Sequence, residues 1–367
     1  MYHIEPAPTR LRAASFAIMT REVTDLKPTL DPLVFFQREY HDVTPALPFD
    51  AKTLEDALAW RRKARPRLHK LLGDFPRISG PVKTRILEKR EFPGYTQTKL
   101  EMELFPGLLA VAYYLLPNDR PKRGPAVVAL PGHGNSVEDL IQDHAGGYAL
   151  ECARAGLPTL ALEQVGFGER RHAEAIREKP EGGTACIVPA GAALMLGRTL
   201  LGYRVFEARR ALDWLSARPE VDPKRLGMTG ISGGGNTTFF TACLEPRLRA
   251  VLIAGYFNTF YGSVYSIYHC TDNFVPGILR WFEMPDLVGL IVPRPFFVMQ
   301  GDRDPIFPLA TFREAVKKAK DICEVYGVPA RMGTHVFPGE HEWNGTQGVP
   351  WLARVLSERN LATDEHR

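Results

Sequence analysis

Closely spaced cysteines are absent from this sequence. Its 367 residues hold five, Cys152, Cys186, Cys243, Cys270 and Cys323, an odd number at wide intervals with no C-x-x-C pair. A disulfide framework or a zinc cluster announces itself by paired or closely spaced thiols, so neither is expected, and the five read as reduced thiols of a cytoplasmic protein. A long apolar run is also lacking: nothing approaches the roughly 18 residues that would span a bilayer. The apolar patch at 13–19 is flanked by Arg10, Arg12 and Arg21, but it is too short for a secretory signal and no small-residue cleavage site follows. Excess charge of one sign is missing too. Lysine and arginine number 46, aspartate and glutamate 42, and the net of +4 leaves no footprint for nucleic acid or an anionic membrane. Biased composition is the last absence: 45% hydrophobic and 24% charged residues match ordinary globular proteins and exclude disorder or repeats as the main theme.

What is present falls into two styles. Residues 1–48 are proline-rich and irregular, with a short helix expected near 33–40. Over 50–72 apolar residues return at helical spacing (Leu54, Leu58, Leu68, Leu71, Leu72), Thr53 with Asp56 three residues on marks the start, and Gly73 the stop. Pro66 is expected to kink or split that helix. The stretch 84–116 alternates as two or three strands, with turns at Phe92-Pro93-Gly94-Tyr95 and Phe105-Pro106-Gly107. Beyond it the rhythm becomes strand, loop, helix. Short apolar runs without polar alternation at 126–130, 158–163, 226–230, 250–254 and 295–300 read as strands buried on both faces, and helices are expected over 195–217 and 349–359. The fold class is therefore α/β, a mostly parallel sheet with helices on both faces. The expected organisation is an N-terminal arm and helical extension over 1–83 and a catalytic domain over 84–367.

The chemistry sits at the ends of those strands. Gly230-Ile231-Ser232-Gly233-Gly234 is a G-x-S-x-G directly after a buried strand and before a helix. A sharp strand-to-helix turn forces its central residue into a strained conformation, which only small neighbours permit. Ser232 then stands clear of the sheet as a nucleophile, and the Gly233 amide points where an oxyanion would form. A serine hydroxyl needs a base. Past the strand at 296–300 come Asp302 and Asp304; Asp304 is favoured as the acid and Asp302 is the alternative. His341, in the glycine-bearing loop after the expected strand 331–337, is the base, with His335 read as a packed or surface residue. The turn Pro131-Gly132-His133-Gly134-Asn135-Ser136 supplies a second oxyanion amide, that of His133 first and Asn135 second. No further ligand stands at a metal-like spacing from His133, so no metal is expected there. Nor does Gly233-Gly234-Gly235 cradle a phosphate, since no Lys-Ser or Lys-Thr follows it. Between 256 and 282 aromatics crowd together, and Tyr256, Tyr261, Tyr268 and Trp281 are the candidate substrate wall.

Over about residues 85–350 the chain resembles the α/β-hydrolases, specifically carboxylesterases like acetyl xylan esterase and dienelactone hydrolase. The likeness rests on the PGHGNS turn, on Gly166-Phe167-Gly168-Glu169-Arg170, on the run from Pro219 to Leu226 into the elbow, and on the GDRDPIFP and PGEHEW segments in that order. Where that family has His-Gly in its oxyanion turn, this chain has Pro131-Gly132. The resemblance implies hydrolysis of small carboxylic esters, often acetyl groups on sugars, by a serine triad without metal or cofactor. It implies a small-molecule ester as partner, with neither nucleic acid nor membrane. The extension over 1–83 is then a cover for the active site or a homo-oligomer interface. A peptidase or acyltransferase of the same fold, and a non-catalytic binding protein on the scaffold, are the rival readings.

Overall fold

Three strands and two tight turns open the main sheet. β1 (Lys83–Phe92), β2 (Tyr95–Phe105) and β3 (Leu108–Pro117) pair antiparallel, Phe92 facing Tyr95 and Phe105 facing Leu108. Gly94 and Gly107 take the positive φ (90° and 78°) that these turns demand. Along β2 the apolar Leu100, Met102 and Leu104 are buried while the intervening charged residues are only partly covered, the signature of a strand with one wet face. The structure, a computed structural model, describes residues 28–144, 146–180 and 183–358.

The remaining strands are β4 (Gly124–Leu130), β5 (Thr159–Leu162), β6 (Val221–Ile231), β7 (Leu248–Ala254), β8 (Phe296–Gly301) and β9 (Met332–Phe337). The order across the sheet is β1-β2-β3-β5-β4-β6-β7-β8-β9, antiparallel as far as the β3–β5 pair and parallel from β5 onward. Every residue of β4, β5, β7 and β8 is buried, as their uninterrupted apolar runs require. Helices α1 (Pro32–Asp42), α2 (Leu54–Leu72), α3 (Tyr148–Arg154), α4 (Ala173–Glu178), α5 (Ile187–Met195), α6 (Leu200–Ser216), α7 (Gly233–Leu244), α8 (Leu309–Val325) and α9 (Gly345–Ser357) complete the chain. Successive strand residues serve opposite cores. Val128, Met228 and Ile253 join α6, α7 and α8 on one face, whereas Val127, Ala129 and Leu252 join α3 and α9 on the other.

The chain divides into two compact units, Met1–His41 and Asp42–Arg367. Helix α1 carries most of the described residues of the first and matches the helix expected near 33–40; residues 1–27 lie outside the described part. The division falls at 41/42, not at the expected 83/84. The reason is α2, whose apolar face (Ala57, Ala64, Leu68, Leu72) is buried in the main core and whose Arg61 donates to the carbonyl of Gly289. A helix with such a face gains its stability from the surface that covers it, so it belongs to the body it packs on. Thr53 caps α2 by accepting the Asp56 amide at 3.1 Å. Pro66 lies inside the helix without splitting it, the buried Ala64 and Leu68 anchoring the turns on either side.

Parallel strands share a direction, so β4, β5, β6, β7, β8 and β9 end on the same edge of the sheet. Leu130, Leu162, Ile231, Ala254, Gly301 and Phe337 are their last residues. Ligands of open α/β sheets bind along such an edge.

Candidate active site

Ser232 is the single residue between β6 and α7. Its φ of 54° and ψ of −118° make it the only non-glycine residue with positive φ among the described residues. Such a conformation costs about 1–3 kcal/mol and persists only where the surroundings enforce it. Here the Ser232 amide donates to Ala254 O at 3.0 Å, and its carbonyl accepts the Asn236 amide at 2.7 Å as the first turn of α7. The two glycines singled out in the sequence have no alternative. A Cβ on Gly230 would lie 2.5 Å from the Gly234 carbonyl carbon, and one on Gly234 would lie 2.0 Å from Leu130 O.

Asp304 and His341 meet across the same edge. His341 Nδ1 lies 2.7 Å from Asp304 Oδ2, while Oδ1 accepts the amides of Ile306 and Phe307, each at 3.0 Å. Burial pushes the Asp304 carboxyl upward, but the hydrogen bond and charge of His341 together with the two amides outweigh it and hold the group below its usual value. With Nδ1 engaged, Nε2 is the free nitrogen, and it is buried without a hydrogen-bond partner among the described residues. The imidazole lies on Gly255, where a Cβ would come within 3.0 Å of Cε1, and Gly255 directly follows the residue whose carbonyl holds Ser232. Phe307 stacks on the ring at 5.6 Å. Asp302, the alternative acid, accepts the Gly339 amide at 3.0 Å and braces the histidine loop instead. His335 lies on β9 with its ring 5.5 Å from that of Phe337.

The turn after β4 is fastened by a residue that its local sequence does not mark. Gln164 donates to Pro131 O at 2.7 Å and accepts the Thr237 hydroxyl of α7 at 2.6 Å. Within the turn the Asn135 amide is committed to Gly132 O at 3.2 Å, which sets it apart from His133 as an oxyanion donor. His133 and Gly233 are neighbours: a Cβ on Gly233 would lie 2.8 Å from the imidazole.

Spatial neighbours at this corner are not those of the sequence. Sequence spacing offered His133 no further ligand, yet the fold surrounds it with Cys186, Cys270 and Asp272, and the ligand atoms of the four all lie within 4.8 Å of one another. His133 Nε2 stands 2.9 Å from Asp272 Oδ1, and Asp272 Oδ2 meets the Arg204 guanidinium, which also donates to Cys186 Sγ at 3.1 Å. Burial works against charge on His133, but the Asp272 carboxylate overcomes it and raises the imidazole to about 9. Asp272 sits well below the carboxylate range: burial opposes its charge, and Arg204 and His133 more than compensate. The Cys270 hydrogen bond leads in lowering the Cys186 thiol, aided by His133 and Arg204 against burial.

The aromatic wall also differs from expectation. Tyr256 is entirely buried, packed between Phe239 and Phe307 in the core, because its neighbour Gly235 lets α7 close directly over it. Trp281 is covered by the Arg67 guanidinium, 3.7 Å from its ring, and Tyr268 projects outward at 93% exposure. Tyr261 is half-buried beside Tyr265. From the same region Phe260, Val264, Tyr265, Phe274 and Ile278 line a cavity of about 420 Å³. Asn273 in its wall accepts from Asn236, one helical turn after Ser232.

Comparison with known proteins extends this geometry. The model of the Abhydrolase family matches residues 10–337. YtaP of Bacillus subtilis (strain 168), provisionally assigned as a hydrolase, is 28% identical over 290 residues, covering 72% of this chain and 88% of YtaP. A provisionally assigned acetyl xylan esterase of Bacteroides fragilis NCTC 9343 superposes with a TM-score of 0.77 at 17% identity, over 90% of this chain and 96% of that one. A glucuronoyl esterase from Solibacter usitatus gives 0.60 at 14% identity, over 86% and 99%. At such identities the structural likeness establishes a shared α/β-hydrolase fold.

Proposed function

Because the chain belongs to the Abhydrolase family, we propose that it is a serine carboxylesterase cleaving small carboxylic esters, acetyl esters of sugars among them. The observation that carries this reading is the Asp304–His341 hydrogen bond of 2.7 Å, with Nε2 left without a hydrogen-bond partner among the described residues, on the same edge of the sheet as the strained Ser232. Ser232 Oγ attacks the ester carbonyl as its proton passes to His341 Nε2. Asp304 orients the ring and stabilises the imidazolium without itself taking the proton. The amides of Gly233 and His133 hold the oxyanion, each such donor worth about 3 kcal/mol. Collapse of the tetrahedral intermediate breaks the carbon–oxygen bond to the alcohol, which leaves with the histidine proton. Water, deprotonated by the same nitrogen, then cleaves the acyl-enzyme and releases the acid.

The named esterases among the structural neighbours support the choice of esters, and the half-buried Tyr261 and the cavity lined by Phe260 and Phe274 support an apolar or sugar-facing wall. A cytoplasmic location belongs to the same proposal, supported by five unpaired cysteines, four of them buried. Among the described residues no helix is long and apolar enough to cross a membrane. The test is hydrolysis of p-nitrophenyl acetate and of acetylated sugars by the wild type and by Ser232→Ala. The variant is expected to lose about 10⁴-fold or more in kcat with its thermal unfolding unchanged. A variant that retains turnover removes Ser232 as nucleophile.

A further inference from the structure

Beside the esterase machinery lies a set of donors that ester hydrolysis does not use. Cys186 precedes α5, Cys270 and Asp272 flank the start of a short 3-10 turn, and the His133 side chain reaches them from the turn after β4. Two sulfurs, one imidazole nitrogen and one carboxylate oxygen are a donor set suited to zinc, which takes four such ligands as a tetrahedron. With metal–ligand bonds of about 2.0–2.3 Å the edges of that tetrahedron are roughly 3.3–3.8 Å. The observed ligand atoms lie within 4.8 Å of one another, so the widest separation closes by about 1 Å. Between His133 Nε2 and Asp272 Oδ1, at 2.9 Å, a proton occupies the direction a metal would take.

The surroundings are built for such an ion. Arg204 is fully buried, donates to Val165 O at 2.8 and 3.1 Å, stacks its guanidinium 4.5 Å from the Phe167 ring centre, and holds both Asp272 Oδ2 and Cys186 Sγ. Outer partners of this kind orient metal ligands. Charge balances as well. Zinc with two thiolates and one carboxylate carries one net negative charge, which the Arg204 guanidinium cancels, and a neutral assembly is what a buried site tolerates. The His133 side chain, 21% exposed, and the partly exposed Cys270 give a route from solvent.

We propose that His133, Cys186, Cys270 and Asp272 form a zinc site that ties the oxyanion turn to the segments at 186 and 270–272. Binding forms two Zn–S bonds, one Zn–N bond and one Zn–O bond. The thiol protons and the proton shared by His133 and Asp272 leave to solvent, and no electrons are transferred. The inference does not depend on the esterase reading. Its test is the full-length protein expressed with zinc, purified with a reductant and without chelator, and assayed for metal by plasma mass spectrometry. About one zinc per chain is expected, retained in Ser232→Ala and reduced at least about tenfold in the Cys186→Ser/Cys270→Ser double variant. Replacing zinc by cobalt in the wild type gives a thiolate-to-cobalt charge-transfer band, a readout independent of how the variant folds. Reduced wild type that binds neither metal, equal zinc in the double variant, a cobalt spectrum without thiolate bands, or freshly purified metal-free protein carrying a Cys186–Cys270 disulfide would each overturn the proposal.

Discussion

The Ser232 corner and the His133 corner touch at Gly233, yet they are assembled by different means. At the first, each side chain is placed by the turn it sits in: two glycines force the elbow, and the loop after β8 wraps its amides around Asp304. At the second, four side chains from three separate loops converge, and a buried arginine on α6 holds two of them, Asp272 and Cys186, by long-range contacts. A corner made by local turns survives changes elsewhere in the chain. One made by convergence depends on every loop that contributes, and its charges must be balanced in the interior.

The sharpest way to separate local design from convergence is the acid pair of the β8 loop. Asp304→Asn is expected to lower kcat by about 10³–10⁴-fold, because the imidazole loses its orientation and its countercharge. Asp302→Asn, which only loosens the Gly339 amide, is expected to stay within about threefold in kcat. Steady-state kinetics on one ester compares the two directly. Equal losses would mean that the loop as a whole, and not the His341 contact, carries the effect.

Next in size is the elbow itself. Gly234→Ala places a methyl group 2.0 Å from Leu130 O, so destabilisation of about 1–3 kcal/mol or more is expected in denaturant unfolding. An unchanged midpoint would show the elbow to be looser than its contacts indicate.

A pH experiment probes the charge that local turns leave unpaired. Glu163, after β5, accepts the Val137 amide through Oε2 while Oε1 is buried without a partner, and burial pushes the carboxyl up to about 7. A carboxyl raised above its unfolded value holds its proton longer in the folded state. Stability therefore falls as pH rises from about 4.5 to about 7 and is flat above, by about 3 kcal/mol for this group. Glu163→Gln is expected to remove that slope and to unfold later than the wild type at pH near 8. Parallel pH profiles for the two proteins would contradict it.

The smallest effect belongs to Tyr268, at 93% exposure: alanine there is expected to change kcat/KM by less than about twofold. A large drop would return this ring to the substrate wall.

What could be read from the chain follows the same division. Glycine spacing, the strand before Ser232 and the order of Asp304 and His341 are local signals, and each of these residues stands where its turn places it. The cysteines read as reduced thiols, but sequence separation hides that two of them meet His133 and Asp272: residues 133, 186, 270 and 272 share no local pattern that would pair them. Tyr256 misled for a related reason, since aromatic composition does not tell an inward-facing ring from a pocket wall. The boundary at 83 rested on a change of rhythm from helix to strand, whereas the physical boundary depends on which core receives the apolar face of α2.

Labelling with a fluorophosphonate, followed by peptide mapping, tests the catalytic assignment most directly. The account predicts one adduct per chain, on Ser232, with hydrolysis of p-nitrophenyl acetate lost in step with labelling. An enzyme that hydrolyses the ester while carrying its adduct on another residue, or none at all, would contradict it.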